Sequence, residues 1–142
     1  MAGRLNFMAL DEAAKRNLRA LKPILQKELG PALDRLYAKV RQTPETNAFF
    51  SSDEHINRAK NAQLGHWSNI VDANFNAEYG AKVSTIGQIH ARIGLKPRWY
   101  IGGYALIAEH LIGAVVKAHW PKGASSPARR PRRTRWPQCS QA

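Results

Sequence analysis

An all-α fold is predicted for this chain by three features of its sequence. Its periodic segments repeat apolar residues at helical spacing, and none shows the two-residue alternation of strands. Pro31, Pro44 and Pro97 stand at first helical positions, where no backbone N–H is needed. Asp11 and Ser52 precede other segments and are residues that cap helix N-termini. At 142 residues the chain is long enough for one compact domain.

The predicted helices follow one another with short connections. The first begins after Asp11 and ends near Lys22, and a short helical turn then leads to a break at Gly30-Pro31. Further helical segments are expected after Pro31, in a short turn from Pro44, and over residues 53–74, 77–92 and 97–120.

Apolar stripes predict the inward face of each helix. Leu33, Leu36, Tyr37 and Val40 share one face, so the Tyr37 ring is expected to point inward. The inward stripes of the three later helices are Ile56, Ala59, Gln63, Trp67 and Ile70; then Val83, Ile86, His90 and Ile93; then Tyr100, Tyr104, Ile107, Leu111 and Val115.

His90 is the histidine of greatest interest, because its neighbours on the stripe are aliphatic and offer no hydrogen-bond partner. A bound metal would satisfy one ring nitrogen, and Tyr100 is the nearest inward-facing polar residue that could orient the ring. Tyr37 is an equally polar group on an apolar face. A haem pocket needs such a pair on separate helices, although a core tyrosine bonded to a backbone carbonyl explains Tyr37 as well.

Several classes of site are excluded by missing motifs. The chain has no C-x-x-C-H for covalent haem, no H-E-x-x-H, no G-x-x-x-x-G-K and no G-x-S-x-G. Cys139 is the single cysteine, which excludes an internal disulfide. We find neither a signal-peptide pattern nor an apolar run long enough to cross a membrane, so a cytoplasmic protein is expected.

Four blocks of sequence, in order, resemble the globin-coupled sensor domain, the haem-binding globin of bacterial aerotaxis receptors and some diguanylate cyclases. They are RLNFMALDE, LDRLYAKVRQTPETNAFF, HINRAKNAQLGHW and IHARIGLKPRWYIGGY, within residues 4–120. The resemblance implies a globin fold that holds non-covalent haem b, binds O2 and possibly CO and NO, catalyses nothing, and controls an attached signalling domain through a homodimer interface.

The resemblance also implies roles for individual residues. His90 matches the proximal iron ligand, Tyr37 the distal tyrosine whose hydroxyl bonds the outer atom of dioxygen, and Tyr100 a tyrosine against the proximal imidazole. Phe49 and Phe50 would pack on the haem edge, and the distal wall is expected from Ala59, Ala62 and Gln63. Trp67, Ile86, Ile93 and Tyr104 complete the expected pocket.

The last residues depart from the family pattern. Residues 1–120 are predicted to form the haem domain, whereas residues 121–142 hold six basic residues and no acidic one, which predicts a disordered tail. Pro127, Pro131 and Pro137 exclude a continuous helix there, so the last globin helix is expected to be missing, through truncation or a frameshift. The tail contributes half of the net charge of +12.

Two alternatives to a gas sensor remain. The run ARRPRRTRW could bind nucleic acid phosphates without sequence preference, in a small basic helical protein that holds no haem. The chain could also be a purely structural helical module in which His90 and Tyr37 are ordinary core residues.

Overall fold

Seven α-helices form the part of the chain, residues 2–120, that this computed structural model describes, and no strand occurs within that part. They are α1 Ala2–Phe7, α2 Glu12–Ala20, α3 Lys22–Gln42, α4 Pro44–Asn47, α5 Asp53–Val71, α6 Ala77–Arg92 and α7 Pro97–His119. The predicted all-α fold is confirmed. The predictions for residues 121–142, including the disordered tail and the missing last helix, lie outside the described residues.

Side-chain caps fix the starts of three helices. Asp11 accepts a hydrogen bond from the backbone N–H of Ala14 at 2.8 Å, and the Ser52 hydroxyl accepts one from His55 at 3.2 Å. Asn76 does the same for the N–H of Tyr79 at 2.9 Å. These bonds satisfy N–H groups that have no partner within the helix, and they set where α2, α5 and α6 begin.

The predicted break at Gly30-Pro31 is wrong, because α3 continues through Pro31. A proline inside a helix removes one hydrogen bond and costs about 3 kcal/mol. The residues on either side are buried: Leu29 and Ala32 are each 1% exposed and Leu33 is fully enclosed. Burying a leucine side chain contributes about 1.5–3 kcal/mol. Tertiary packing of this segment therefore outweighs the local preference for a break.

α3 is the central helix, packed against α7 along one side and α5 along another. The largest fully buried side chains are Leu29 and Leu33 of α3, Val71 of α5 and Ile107 of α7. Two polar pairs join α3 to α7: Arg35 with Glu109 at 2.8 Å, and Glu28 with the His110 imidazole at 3.0 Å. The core thus lies where α3, α5 and α7 meet.

α6 stands apart from this core. None of its residues, all within the described part of the chain, is buried, and Ile86, Ile89 and His90 line a cavity. Its ring contacts with neighbouring helices are Tyr79 on His66 of α5 and His90 on Tyr100 of α7. α5, on the other side of the cavity, ends at Val71, three residues before the predicted end, because Ala73 adopts a left-handed conformation with φ of 53°. The resulting turn leads the chain to α6.

By length and composition, α7 could cross a membrane. This apolar run was not recognised from the sequence. The same property occurs in core helices of helical domains, and α7 buries Ile107 and Leu111 against α3. Its opposite face leaves Ile101 and Ile112 about 60% exposed.

Candidate functional site

A cavity of about 460 Å³ lies between α6 and the packed helices α3, α5 and α7. This volume falls in the range of about 300–1,000 Å³ that is usual for small-molecule and cofactor sites. Its walls are mainly aliphatic and aromatic side chains. An apolar cavity with few polar groups binds a largely apolar ligand and uses those groups to orient it.

Most of the residues singled out by the sequence line this one cavity. They are Tyr37 from α3, Phe49 and Phe50 after α4, Ala59, Ala62 and Gln63 from α5, Ile86 and His90 from α6, Ile93 just after it, and Tyr100 and Tyr104 from α7. Trp67 lies behind the wall, where its ring packs against Tyr104 with centroids 5.4 Å apart.

The backbone of His90 is fixed by the way α6 ends. The N–H of Leu95 donates to the carbonyl of His90 at 2.9 Å, and that of Gly94 donates to Ala91 at 3.1 Å. This pair of bonds is a Schellman motif, which requires a left-handed residue after the helix. Gly94 supplies it with φ of 71°. His90 is therefore held in the last, terminated turn of α6.

The His90 imidazole lies against the ring of Tyr100. Their centroids are 5.4 Å apart and their planes differ by 17°, so the rings are stacked. The expected polar contact is not what the structure shows, because Tyr100 supports the face of the imidazole instead of bonding a ring nitrogen. Burial lowers the pKa of His90, which favours the neutral form with a free lone pair.

Tyr37 presents a protonated hydroxyl to the cavity. Its side chain is 5% exposed, and burial raises the pKa of Tyr37 to about 12, so the group remains a donor at neutral pH. Its ring meets Phe50 edge to face at 6.2 Å between centroids. Within residues 2–120 no hydrogen-bond partner is found for this hydroxyl, so it is available to a ligand.

His66 is a cavity residue that was not singled out from the sequence. Its Nε2 lies 3.1 Å from the Tyr104 hydroxyl, and its ring stacks on Tyr79. Burial lowers the pKa of His66. The signal available was its position three residues after Gln63, which places both on one helical face.

Further cavity residues were not assigned to the site from the sequence, although Leu36, Val40 and Ile107 were expected to face inward. They are Leu36, Val40, Thr46, His55, Ile89, Arg92, Leu95, Trp99, Gly103 and Ile107. Arg92 is notable among them, because none of the ion pairs between described residues involves it. The cavity therefore has an uncompensated guanidinium at its margin.

A bare metal ion does not fit this site. Across the described helices and loops, no three His, Cys, Asp or Glu side chains come together as a ligand set. A single imidazole in an apolar cavity suits instead a metal whose other ligands are supplied by an organic cofactor.

Comparison with known proteins agrees with this geometry. The chain is 25% identical over 117 residues to the heme-based aerotactic transducer HemAT of Halobacterium salinarum, a match that covers 82% of this chain and 24% of that protein. The chain thus spans about a quarter of this relative's length. A family profile for protoglobins matches residues 1–135, which passes the domain boundary expected at residue 120. The predicted globin fold is confirmed, and the chain belongs to the protoglobin family.

Proposed function

We propose that this chain is a haem-binding sensory domain that binds dioxygen reversibly, with CO and NO as further ligands. Non-covalent haem b would occupy the cavity, with its iron held by His90, and Tyr37 would donate a hydrogen bond to the gas. The domain catalyses no reaction and acts as the input of a larger signalling protein. The relative named as a heme-based aerotactic transducer supports the sensory role.

One observation carries the proposal: a neutral imidazole and a protonated, unpartnered tyrosine hydroxyl enter one apolar cavity from different helices. A structural core histidine would be expected to have a hydrogen-bond partner. Among the residues described, none is found for either nitrogen of His90. The lack of a protein partner for either side chain supports a ligand-binding role for both.

The residues present fit a porphyrin. The cavity is apolar, as the macrocycle is, and it separates most of α6 from α3 and α5, which leaves the space for it. Arg92, free of ion pairs with other described residues, can pair with a carboxylate at the polar edge of the haem. The haem supplies a ferrous iron that binds diatomic gases when a histidine is its axial ligand.

The protein side chains have distinct tasks in this arrangement. The terminated turn of α6 and the Tyr100 ring hold the imidazole of His90 in one orientation. Ile86, Ile93 and Tyr104 would enclose the porphyrin, and Phe49 and Phe50 would shield its edge from water. Tyr37 would donate a hydrogen bond to dioxygen, whose outer atom carries partial negative charge. Ala59, Ala62 and Gln63 form the distal wall, and Trp67 supports it from behind.

Signalling requires a partner surface whose contacts depend on whether the gas is bound. We expect a homodimer through the last helices and a cytoplasmic location. The exposed Ile101 and Ile112 on α7 support the presence of a covering surface. Tyr100 links the axial imidazole to the first turn of this same helix. Gas occupancy can then bias the two arrangements of the interface.

Addition of haemin to the purified chain tests the proposal. The wild type and His119→Ala should give an intense Soret band and a shifted band on reduction under CO, whereas His90→Gly should lose it. His119 is a matched control, because it is exposed, does not line the cavity and has a hydrogen bond to the Val115 carbonyl of its own helix. Added imidazole should restore the His90→Gly spectrum by replacing the missing ligand. A folded wild type without a Soret band would refute the proposal.

A further inference from the structure

Gln63 carries a buried amide oxygen that has no partner. The residue lies on the α5 wall of the cavity, in the same face as Ala59 and Ala62. Its Oε1 is enclosed by protein atoms, yet no donor of the described residues reaches it. Leaving a buried acceptor without a hydrogen bond is unfavourable, so this oxygen calls for an explanation.

Trp67, one turn later on the same helix, has a buried hydrogen-bond donor, its indole Nε1–H, without a partner among the described residues. Residues four apart on a helix project from one face in adjacent turns, so their side chains can meet. One hydrogen bond, from the Trp67 indole to Gln63 Oε1, would satisfy both groups.

The indole can hold Gln63 in this way because Trp67 is itself fixed. Its ring packs on that of Tyr104 at 5.4 Å between centroids, and the Tyr104 hydroxyl lies 3.1 Å from His66 Nε2. Trp67 does not line the cavity and so cannot contact a ligand itself. Its influence on the cavity therefore passes through its neighbours, by a hydrogen bond to Gln63 and by its ring contact with Tyr104.

An anchored carboxamide has its donor end in a defined place. When Oε1 accepts from Trp67, the two N–H groups of Nε2 lie at the other side of the planar amide. Gln63 lines the cavity, and its neighbours Ala59 and Ala62 have no polar side-chain atoms to compete for these protons. His66, the polar neighbour on the same face, has its Nε2 engaged with the Tyr104 hydroxyl at 3.1 Å. The donor end is thereby left for a ligand in the cavity.

We infer that Gln63 is a second hydrogen-bond donor to the gas ligand, and that Trp67 is the residue that positions it. The inference rests on the proposed function. Together with the Tyr37 hydroxyl from α3, it gives the cavity donors on two separate helices. Such donors favour ligands whose outer atom carries partial negative charge, such as dioxygen, over the less polar carbon monoxide.

Dissociation rates of O2 and CO test this on the haem-reconstituted, reduced chain. In Gln63→Leu we expect the O2 rate to rise about tenfold, the effect of one hydrogen bond, while the CO rate stays within about twofold. Trp67→Phe should shift the O2 rate in the same direction by less, because the amide remains but is no longer held. Gln88→Leu is the matched control, since Gln88 is exposed on α6 and does not line the cavity.

A second readout needs no haem. In 15N-labelled protein the Trp67 indole N–H signal, assigned by its loss in Trp67→Phe, should exchange slowly with solvent, and it should shift and exchange faster in Gln63→Leu. Equal increases of the O2 and CO rates in Gln63→Leu, or an O2 rate equal to that of Gln88→Leu, would overturn the inference while leaving the haem site intact. A wild type that takes up no haem would instead overturn the proposed function.

Discussion

The ring of Tyr100, in the first turn of α7, lies stacked on the imidazole of His90, in the last turn of α6. The connection between these helices is short and ends α6 through Gly94. The side chain proposed as the axial ligand is therefore in contact with the helix that carries the exposed apolar face. A displacement of the imidazole would be transmitted to α7 through this ring contact.

Removal of the Tyr100 ring should weaken haem retention. An aromatic pair of this kind contributes about 0.5–1.5 kcal/mol, so Tyr100→Leu should speed haem transfer to apomyoglobin by about two- to tenfold. Tyr100→Phe keeps the stacked ring and should behave like the wild type. If Tyr100→Phe lost haem as fast as Tyr100→Leu, the hydroxyl and not the stacking would be the important group.

Gly94→Ala should destabilise the protein by about 1–2 kcal/mol, because an alanine pays a steric penalty at φ of 71°. An added Cβ would meet no atom within 4 Å, so the cost is conformational. Gly87→Ala provides a control of opposite sign: this glycine lies inside α6 in open space, where alanine should stabilise by about 1 kcal/mol. Urea unfolding measures both. Equal effects of the two changes would contradict the role of Gly94.

Tyr37→Phe should leave haem incorporation nearly intact and raise the O2 dissociation rate by about tenfold or more, as expected for the loss of one hydrogen bond of about 1.5 kcal/mol. The CO rate serves as an internal control, because a general opening of the cavity would raise both rates. Stopped-flow mixing of the oxygenated protein with dithionite under CO measures the O2 rate. An unchanged O2 rate would show that the hydroxyl does not contact the gas.

Acidification should destabilise the haem-free protein. Burial holds the pKa of His66 and of His90 below the ordinary value of 6.5. The unfolded chain therefore binds more protons than the folded one, and stability should fall as the pH is lowered through about 6.5, then level off below the folded pKa values. His66→Phe/His90→Phe should flatten this dependence. Thermal unfolding temperatures measured from about pH 8 to about pH 5 test this pH dependence of stability.

Much of the helical pattern could be predicted from local sequence. The starts of α2, α5 and α7 could be predicted because the signals are local. The caps Asp11 and Ser52 bond backbone N–H groups a few residues away, and Pro97 has the backbone angle of a first helical residue. The convergence of His90 and Tyr37 came from apolar periodicity and resemblance. Their assigned roles remain predictions.

The continuity of α3 through Pro31, the stacking of Tyr100 on His90, and the His66–Tyr104 contact depended on tertiary structure. The amino-acid sequence by itself determined where most of the helices begin, because capping and periodicity are local. Only the folded chain decided that α3 continues through Pro31, where the helices leave a cavity and which polar groups remain unpartnered, because these depend on burial against residues distant in sequence.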